Sequence, residues 1–474
     1  MRAFTFFFLL LPILMMAQDL KIRDYEFVSR NKDTVQAELG TFMVPEDRSN
    51  PDSREIKISF IRFKSTNPNP GSPIVYLAGG PGGSGIQTAR SVRFDLFMKL
   101  REVADVIAYD QRGTGWSNSL PSFSAMKPVD VTKPMAREVY IKSSLDNIEA
   151  MKTACKDAGA TLEAYNTTEN AHDIDDLRKA LGEDKISIWG ISYGSHLSFE
   201  YIRLFEDNID RAVIASMEGP DHTIKLPSNT EAFINMLCER AKDNYGFEPK
   251  YPNLREKITY VHEKLKQEPA IVTFEDKNGK SKTVGFNNFE LQVLMANIYL
   301  RDPWDIKKYA RIYSEMYEGD YSSIAPRMLQ IKQFALSRMN PMAFAMDMSS
   351  GMSAERNAQI KAERETTTYG PALSFIMYDW MNADVFPMLP DEFRKQKKNK
   401  VKALLVSGML DGRTYVSAAK EIAKNFTNGH HVILDHAGHN LFMLSEDVQQ
   451  LVVDFFAGKD VSDRKIELEP VPFE

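Results

Sequence analysis

The chain has 474 residues, of which 43% are hydrophobic and 26% are charged. This balance is typical of a globular protein and excludes a mostly disordered chain. The net charge of −6, from 59 Lys and Arg against 65 Asp and Glu, gives no electrostatic reason to expect nucleic-acid binding. Two cysteines, Cys155 and Cys238, are too few for a disulfide-rich scaffold or a zinc-ribbon cluster. At about 150 residues per domain, the length predicts about three domains.

Residues 1–17 have the pattern of a secretory signal peptide. Arg2 is the only charge, an apolar run with one proline follows, and the small residue Ala17 closes it. The run is shorter than the roughly 20 residues that a membrane span needs. We therefore predict cleavage near Ala17 and a periplasmic or secreted protein without stable membrane insertion; an uncleaved anchor is the alternative. In an oxidising compartment Cys155 and Cys238 could pair or stay separately buried, and the sequence leaves both possibilities open.

The remaining chain predicts strands that alternate with helices. Residues 36–64 read as a β-hairpin, because the alternating segments AELGTFMVP and EIKISFIRF flank a turn-rich stretch. Short apolar runs typical of buried parallel strands lie at 73–78, 103–110, 185–190, 211–216, 401–407 and 431–434. Helical patterns cover about 144–158 and 170–181. This alternation predicts an α/β fold, with a mostly parallel sheet flanked by helices on both faces.

A long insertion separates the fourth and fifth of these runs. Residues 217–400 are rich in methionine, aromatic residues and helix formers, and contain no comparable apolar strand. We therefore predict a mainly helical cap domain at this point. The predicted division is a signal peptide over 1–17, the first part of the core over 18–221, the cap over 222–395, and the second part of the core over 396–474.

The segment Gly190-Ile191-Ser192-Tyr193-Gly194 matches the pattern G-x-S-x-G. A predicted strand precedes it and a predicted helix follows it, which is the context of a nucleophile elbow. The glycines permit a sharp turn that presents the serine hydroxyl above the sheet. The pattern therefore predicts that Ser192 is a catalytic nucleophile; the alternative is a glycine-rich turn that only packs helix against strand.

A serine nucleophile needs a base, and in this arrangement an acid and then a histidine follow the serine along the chain. Asp411 lies just beyond the fifth predicted strand, and the loop after the sixth offers His436 and His439. We predict His439, because it lies farther from the strand end and because Gly438 lets the loop bend. Asp110 precedes the serine, so we assign it, with Arg112, to holding loops around the site.

The oxyanion of an acyl transfer needs two backbone donors. We predict the N–H of Tyr193, the residue after the nucleophile, and the N–H of Gly80 in the glycine-rich loop after the first core strand. That loop lacks the GK[ST] ending of a phosphate-binding loop. The sequence contains no metal-ligand pattern and no dinucleotide fingerprint, so we predict neither a metal nor a cofactor.

Five motifs, GGPGGSG, DQRGTGWS, GISYG, SGMLDGRT and AGHN, stand in the order seen in the proline iminopeptidase and tripeptidyl aminopeptidase group of α/β-hydrolases. The chain resembles this family over about 36–220 and 400–445. The resemblance implies the α/β-hydrolase fold, a helical cap in the long insertion, and a serine exopeptidase that releases residues or short peptides from a free N-terminus. Departures include Ala78 where the family usually has histidine, Asn440 after His439, and Glu218 in place of aspartate.

The substrate of such an exopeptidase carries an α-ammonium group, which a buried carboxylate could bind. Glu218 is one candidate, although it could equally cap a loop; Asp347 and Glu355, both in the predicted cap, are others. The first rival is a carboxylic-ester hydrolase with the same triad, which would need an apolar funnel in the cap rather than a carboxylate. A binding protein on a retired hydrolase scaffold is the second rival, and the intact Ser192, Asp411 and His439 argue against it.

Overall fold

The computed structural model describes residues 20–123, 130–334 and 339–474. The predicted signal peptide lies outside these residues. Within them, no helix is both long enough and apolar enough to cross a membrane. The strands are β1 Lys21–Val28, β2 Thr34–Pro45, β3 Glu55–Phe63, β4 Gly71–Leu77, β5 Ala104–Asp110, β6 Ile186–Ser192, β7 Ile209–Met217, β8 Ala270–Glu275, β9 Ser281–Phe286, β10 Lys402–Gly408 and β11 Gly429–Leu434.

The helices alternate with the core strands and fill the long segment between β7 and β10. They are α1 Gly85–Arg90, α2 Phe94–Leu100, α3 Arg137–Asp157, α4 Thr167–Ala180, α5 Tyr193–Phe205, α6 Pro227–Asp243, α7 Leu254–Gln267, α8 Asn288–Leu294, α9 Pro303–Ile306, α10 Tyr309–Tyr317, α11 Ala325–Phe334, α12 Pro341–Ser350, α13 Ala354–Glu363, α14 Met377–Asn382, α15 Asp391–Arg394, α16 Val416–Ala423 and α17 Glu446–Phe456.

Nine of the described strands form one sheet in the order β1-β2-β3-β5-β4-β6-β7-β10-β11. The pairs from β5 to β11 are parallel, whereas β1, β2 and β3 pair antiparallel and join the sheet through β5. All six predicted buried strands and the predicted hairpin are confirmed. Strand β1 was not predicted; it lies at the edge and exposes most of its residues, so it has no regular apolar alternation.

Helices cover both faces of the sheet. On one face, α1, α2 and α17 enclose an apolar cluster that includes Trp189 of β6. On the other face, α3, α4, α5 and α16 enclose a second cluster that includes Ile188 of the same strand. Neighbouring residues of a strand point to opposite faces, so a strand buried on both sides is apolar throughout. This confirms the predicted α/β class.

The segment between β7 and β10 is mainly helical, as its composition predicts, but it also contains the hairpin of β8 and β9. Helices α6, α7, α8, α10 and α11 share an apolar cluster of their own. Helices α12 and α14 instead contribute to the cluster on one face of the main sheet. Part of this inserted segment therefore packs directly on the core, beside the carboxyl ends of the strands.

Cys155 and Cys238 are both buried and both free. Cys155 belongs to the cluster on the main sheet, and Cys238 to the cluster of the inserted segment. Of the two possibilities that the sequence left open, the structure has the unpaired one.

Candidate active site

The carboxyl ends of the central parallel strands meet at one edge of the sheet. Ser192 ends β6, Glu218 follows β7, and Asp411 follows β10. The glycine-rich loop from Ala78 follows β4, and His439 lies in the loop after β11. This edge is where ligands bind in open α/β sheets. All the residues predicted for the triad and the oxyanion hole therefore lie at or beside one edge.

Ser192 lies on a sharp turn between β6 and α5. Its backbone has φ 58° and ψ −127°, a conformation that a non-glycine residue adopts only under strain. The flanking glycines are needed for close packing: a Cβ on Gly190 would lie 2.5 Å from the carbonyl oxygen of Gly194, and one on Gly194 would lie 2.0 Å from that of Leu77. The G-x-S-x-G pattern therefore has the geometry expected of a nucleophile elbow.

His439 and Asp411 form a buried hydrogen-bonded pair. The Nδ1–H of His439 donates to Asp411 Oδ2 over 2.9 Å, and both side chains are almost fully inaccessible. Asp411 also accepts the backbone N–H groups of Arg413 and Thr414 over 2.9 and 3.0 Å. Burial alone would raise the pKa of Asp411, but the charge and hydrogen bonds of His439 and Thr414 lower it to about 2. Asp411 is thus held as a carboxylate at neutral pH.

The inserted segment fixes the loop that carries His439. The backbone N–H of His439 donates to the carbonyl of Arg301 over 3.0 Å, and Asp302 accepts both the backbone and the side-chain N–H of Asn440. Gly438 was predicted to let this loop bend, but that reason is wrong. The left-handed residue of the loop is His436, with φ 60°, whereas Gly438 is needed because a Cβ there would lie 2.6 Å from Pro303.

The glycine-rich loop lies directly against the nucleophile turn. A Cβ on Gly79 would lie 2.9 Å from the carbonyl oxygen of Ile191 and 3.0 Å from the Cβ of Ser192. The loop is held from below by Gln111, whose side-chain amide donates to the carbonyl of Ala78 over 2.8 Å. Gly80, with φ 129°, is the next residue along, and Tyr193 begins α5. Both predicted oxyanion donors therefore belong to backbone that borders Ser192.

Ser192 and His439 line one cavity of about 380 Å³. Its wall also contains the glycine-rich loop and three arginines; the arginines are Arg93, Arg301 and Arg413. None of the described residues that line this cavity is acidic. Among the described residues there is also no group of three or more histidine, cysteine, aspartate or glutamate side chains placed to hold a metal ion.

A second cavity of about 130 Å³ shares Gly80 and Arg413 with the first. It contains two of the three predicted substrate carboxylates, Glu218 and Asp347. Glu218 already has a partner, because Lys225 lies 2.7 Å from its carboxylate. The carboxyl group of Asp347 forms no hydrogen bond and no ion pair with any residue that the structure describes.

These two carboxyl groups titrate in opposite directions. Burial would raise the pKa of Glu218, but nearby charges, Lys225 above all, lower it overall. Burial, together with the negative charge of Glu218, raises the pKa of Asp347 well above its usual value, although Lys225 and Arg413 act against this. The second cavity therefore has one paired carboxylate with a lowered pKa and one unpaired carboxyl group with a raised pKa.

Glu355, the third predicted substrate carboxylate, lies elsewhere. It is exposed in the first turn of α13 and is absent from the lining of both cavities.

Three features of the site were not predicted from the sequence. One is the π-helical turn Met295–Tyr299, which supplies Asn297 to the second cavity; the other two are Arg93 and Arg301 in the wall of the first cavity. Of the cavity arginines, only Arg413 had a sequence signal, since it belongs to the motif SGMLDGRT that also holds Asp411.

Asp110 and Arg112 hold loops, as predicted. Asp110 accepts hydrogen bonds from the Ser84 hydroxyl over 2.6 Å and from the backbone N–H of Ile86 and Trp116. Arg112 is fully buried and donates two hydrogen bonds to Asp173 and further ones to backbone carbonyls. Asp110 thus holds the end of the glycine-rich loop, and Arg112 ties α4 to the segment before it and to the segment after β2.

Comparison with known proteins adds to this geometry. A family model for the alpha/beta hydrolase fold matches residues 72–270, and a model described as TAP-like protein matches residues 379–465. Tripeptidyl aminopeptidase from Streptomyces lividans is 29% identical over 194 residues, which are 39% of this chain and 36% of that protein. Serine protease Hip1 from Mycobacterium bovis is 30% identical over 190 residues, which are 38% of this chain and 36% of that protein.

The matched segment spans little more than a third of the length of these relatives. Among solved structures, MGS-M2, an alpha/beta hydrolase enzyme from a Medee basin deep-sea metagenome library, covers 87% of this chain and 98% of its own, with 14% identity and a TM-score of 0.38. The family match over residues 72–270, together with the mostly parallel sheet flanked by helices, shows the α/β-hydrolase fold. Within that class, the TAP-like match and the two relatives confirm the predicted resemblance to the proline iminopeptidase and tripeptidyl aminopeptidase group.

Proposed function

We propose that the chain is a serine exopeptidase that hydrolyses peptide bonds near a free N-terminus. One observation carries this proposal: the cavity that contains Ser192 and His439 shares part of its wall with a second cavity that contains an unpaired carboxyl group, Asp347. A nucleophile beside a carboxyl group suits a substrate whose scissile bond lies a short distance from an α-ammonium group.

The reaction follows from the roles of the three residues. Ser192 attacks the peptide carbonyl while His439 accepts its proton, and Asp411 holds the imidazole in the right tautomer and stabilises its cation. The backbone N–H groups of Tyr193 and Gly80 stabilise the oxyanion. His439 then returns the proton to the departing amine. Water, activated by the same histidine, hydrolyses the acyl-enzyme and restores the free serine.

Asp347 is the main group proposed to bind the α-ammonium, with Glu218 in support. Glu218 is already neutralised by Lys225, so it adds less charge to the second cavity than its position suggests. Asp347 has no such partner, and a cation that enters the cavity would favour its ionised form. A substrate ammonium would thus gain a charge-assisted hydrogen bond that an acetylated N-terminus cannot form.

The lining of the second cavity favours a peptidase over a carboxylic-ester hydrolase. Charged and amide side chains stand in its wall, where an esterase would need an apolar funnel; they are Glu218, Lys225, Asn297, Asp347 and Arg413. The geometry around Ser192 and the paired His439 and Asp411 argue against a binding protein that has lost its catalytic residues.

Kinetics with matched substrates test this proposal. We expect a free peptide amide to be cleaved with a kcat/KM at least about tenfold higher than its N-acetylated form, because the latter lacks the ammonium. Hydrolysis of p-nitrophenyl esters, which needs no ammonium group, measures the activity of the triad alone. Ser192→Ala is the control and must abolish the turnover of both esters and peptides. Equal rates for free and acetylated peptides would reject the exopeptidase and favour the esterase. Ester turnover that survives Ser192→Ala would reject the nucleophile.

We also propose that the protein is exported, because residues 1–17 have the signal-peptide pattern. The test is to express the full chain in a bacterium, fractionate the cells, and determine the N-terminal sequence of the exported form. We expect the protein in the periplasm or medium, with its N-terminus at or near Gln18. Full-length protein that stays in the membrane fraction would favour the uncleaved anchor.

A further inference from the structure

The charge of the larger cavity is the feature that the proposed mechanism does not use. Three arginines line the space that contains Ser192, and no described residue in that lining is acidic; the arginines are Arg93, Arg301 and Arg413. An excess of positive charge beside a nucleophile has no role in the steps of acyl transfer, in which two backbone N–H groups and a histidine suffice. We infer that this cavity is a binding site for a carboxylate on the substrate.

Arg93 is the strongest evidence for this inference, because its positive charge is buried without a negatively charged partner. Its residue surface is only 7% exposed, yet its guanidinium forms no ion pair with any residue that the structure describes. It donates to the hydroxyl of Tyr76 and lies 5.6 and 5.8 Å from the ring centres of Tyr76 and Phe442, while its Nε has no hydrogen-bond partner. A buried charge of this kind is costly unless something compensates it, and a bound anion would.

The other two arginines add donors at the same wall. The guanidinium of Arg413 forms no hydrogen bond and no ion pair within the described chain, although its backbone N–H holds Asp411. Arg301 has Asp302 at 3.3 Å from its Nε, but that nitrogen is buried without a hydrogen bond. Asp302 in turn accepts two hydrogen bonds from Asn440, so its charge is shared between the two neighbours.

The chemistry of the donors indicates the kind of anion. A guanidinium presents a planar fork of N–H groups that matches the two oxygens of a carboxylate. The cavity of about 380 Å³ has room for more than the carbonyl under attack. If the second cavity holds the ammonium end of a peptide, as the proposed function requires, the arginines face the part of the substrate at or beyond the scissile bond. That part carries a carboxylate either as the C-terminus of a short peptide or as an acidic side chain.

The inference therefore deepens the proposed function: the preferred substrates are short peptides with an ammonium at one end and a carboxylate near the scissile bond. We expect Ala-Ala-Ala to be cleaved with a kcat/KM about tenfold or more above that of Ala-Ala-Ala amide. A preference for Ala-Ala-Glu amide over Ala-Ala-Gln amide would identify the side chain as the source of the carboxylate instead. If neither acid is preferred over its neutral partner, the inference is wrong.

Variants at the cavity then connect the preference with the arginines. Arg301→Met and Arg413→Met each remove one positive charge from the cavity. They are chosen because substitution of the buried Arg93 could prevent folding. We expect each to lower the ratio of acid to amide cleavage by about tenfold, since a hydrogen bond to a charged group is lost. Arg30→Met, on an exposed residue that lines neither cavity, is the matched control and should keep the wild-type ratio. An unchanged ratio in both cavity variants would overturn the assignment.

A binding measurement separates this inference from the proposed function. Calorimetric titration with N-acetylglycine, which has a carboxylate but no ammonium, needs no turnover at all. We expect it to bind at least about tenfold more tightly than N-acetylglycinamide, and to lose that advantage in Arg413→Met. Carboxylate binding without any peptide hydrolysis would support the anion site and reject the exopeptidase. Peptide hydrolysis without a carboxylate preference in binding or cleavage would support the exopeptidase and reject the anion site.

Discussion

Two groups of buried and half-buried charges in this molecule differ in whether the charges have partners within the protein. In the first, here called the Arg112 cluster, Arg48 and Arg112 face the acidic side chains of Asp173 and Glu169. Arg112 and Asp173 are fully buried, yet Asp173 accepts hydrogen bonds from both arginines and Arg112 also donates to two backbone carbonyls. Its charged members all have partners within the protein.

The second group is Arg93, Arg413 and Asp347, which line the two cavities beside Ser192 and lack such partners, unlike the neighbouring pair of Glu218 and Lys225. Arg93 and Arg413 form no ion pair, and Asp347 forms neither a hydrogen bond nor an ion pair, within the described chain. Arg93 is buried, whereas Arg413 and Asp347 are half-buried at the cavity walls. Buried polar groups in native proteins are nearly always hydrogen-bonded, so the buried Nε of Arg93, which has no hydrogen-bond partner, calls for an explanation. The contrast teaches that the satisfied charges hold loops together, whereas the unsatisfied ones are available to a ligand.

Asp411 tests the distinction between charges with and without internal partners most strictly. Its carboxylate has hydrogen-bond partners within the protein, yet we assign it to catalysis. We expect Asp411→Asn to lower kcat about ten-thousand-fold, since an amide would favour the wrong tautomer of His439. The measurement is kcat with a p-nitrophenyl ester, on protein shown by circular dichroism to be folded. Asp110→Asn is the matched control at another strand end, where the carboxylate holds only loop atoms. A loss of less than a hundredfold in Asp411→Asn would contradict the assigned role.

Arg112→Met should have the largest effect on stability. It would leave Asp173 buried with one of its two arginine partners removed, and breaking a buried ion pair costs about 3–5 kcal/mol. We expect the free energy of unfolding, measured with urea, to fall by about that amount. Arg413→Met, which removes a charge without an internal partner, should change it by less than about 1 kcal/mol. Similar losses in the two variants would remove the physical basis of the comparison.

The sequence could predict the framework of the fold and the residues at the strand ends. The core strands are buried on both faces and so read as short apolar runs, and the G-x-S-x-G turn is determined by local sterics around Gly190 and Gly194. The edge strand β1 and the hairpin of β8 and β9 escaped prediction, because their residues are largely exposed or only partly buried. Local patterns therefore sufficed where burial or backbone sterics alone decide the structure.

The charge state of the site could not be predicted, since it depends on contacts between distant segments. The pairing of Glu218 with Lys225 and the position of Arg301 beside the His439 loop follow from how the inserted segment packs on the core. Arg93 lies in no recognised motif, and only its burial without a counter-ion draws attention to it. Which of the two cavity carboxyl groups stays free, Asp347 rather than Glu218, is likewise a property of the assembled fold.

Asp347→Asn tests whether the unpaired carboxyl group serves a ligand. We expect the KM for peptides with a free N-terminus to rise about tenfold or more, because the charge-assisted hydrogen bond to the ammonium is lost. The KM for N-acetylated peptides should change less. Glu355→Gln, which removes an exposed carboxylate outside both cavities, is the control and should leave both KM values as they are. If Glu355→Gln raised the KM for free peptides more than Asp347→Asn does, the ammonium would bind at a site other than the second cavity.

The smallest expected effect is a pH dependence that only the unpaired carboxyl group would produce. Burial and the neighbouring Glu218 raise the pKa of Asp347, so it is neutral at low pH and gains its charge as the pH rises through that raised pKa. Lys225 and Arg413, which also face it, oppose the shift without reversing it.

The KM for a free peptide should therefore fall severalfold as Asp347 ionises, which gives an acidic limb, and should rise as the peptide α-ammonium loses its proton near pH 8, which gives an alkaline limb. The acidic limb should disappear in Asp347→Asn, whereas the alkaline limb should remain because it belongs to the substrate. Glu218 cannot produce the acidic limb at the same pH, since its pKa is lowered by the pairing with Lys225. An acidic limb that persists in Asp347→Asn would show that another group controls binding, and the unpaired carboxyl group would then need a different explanation.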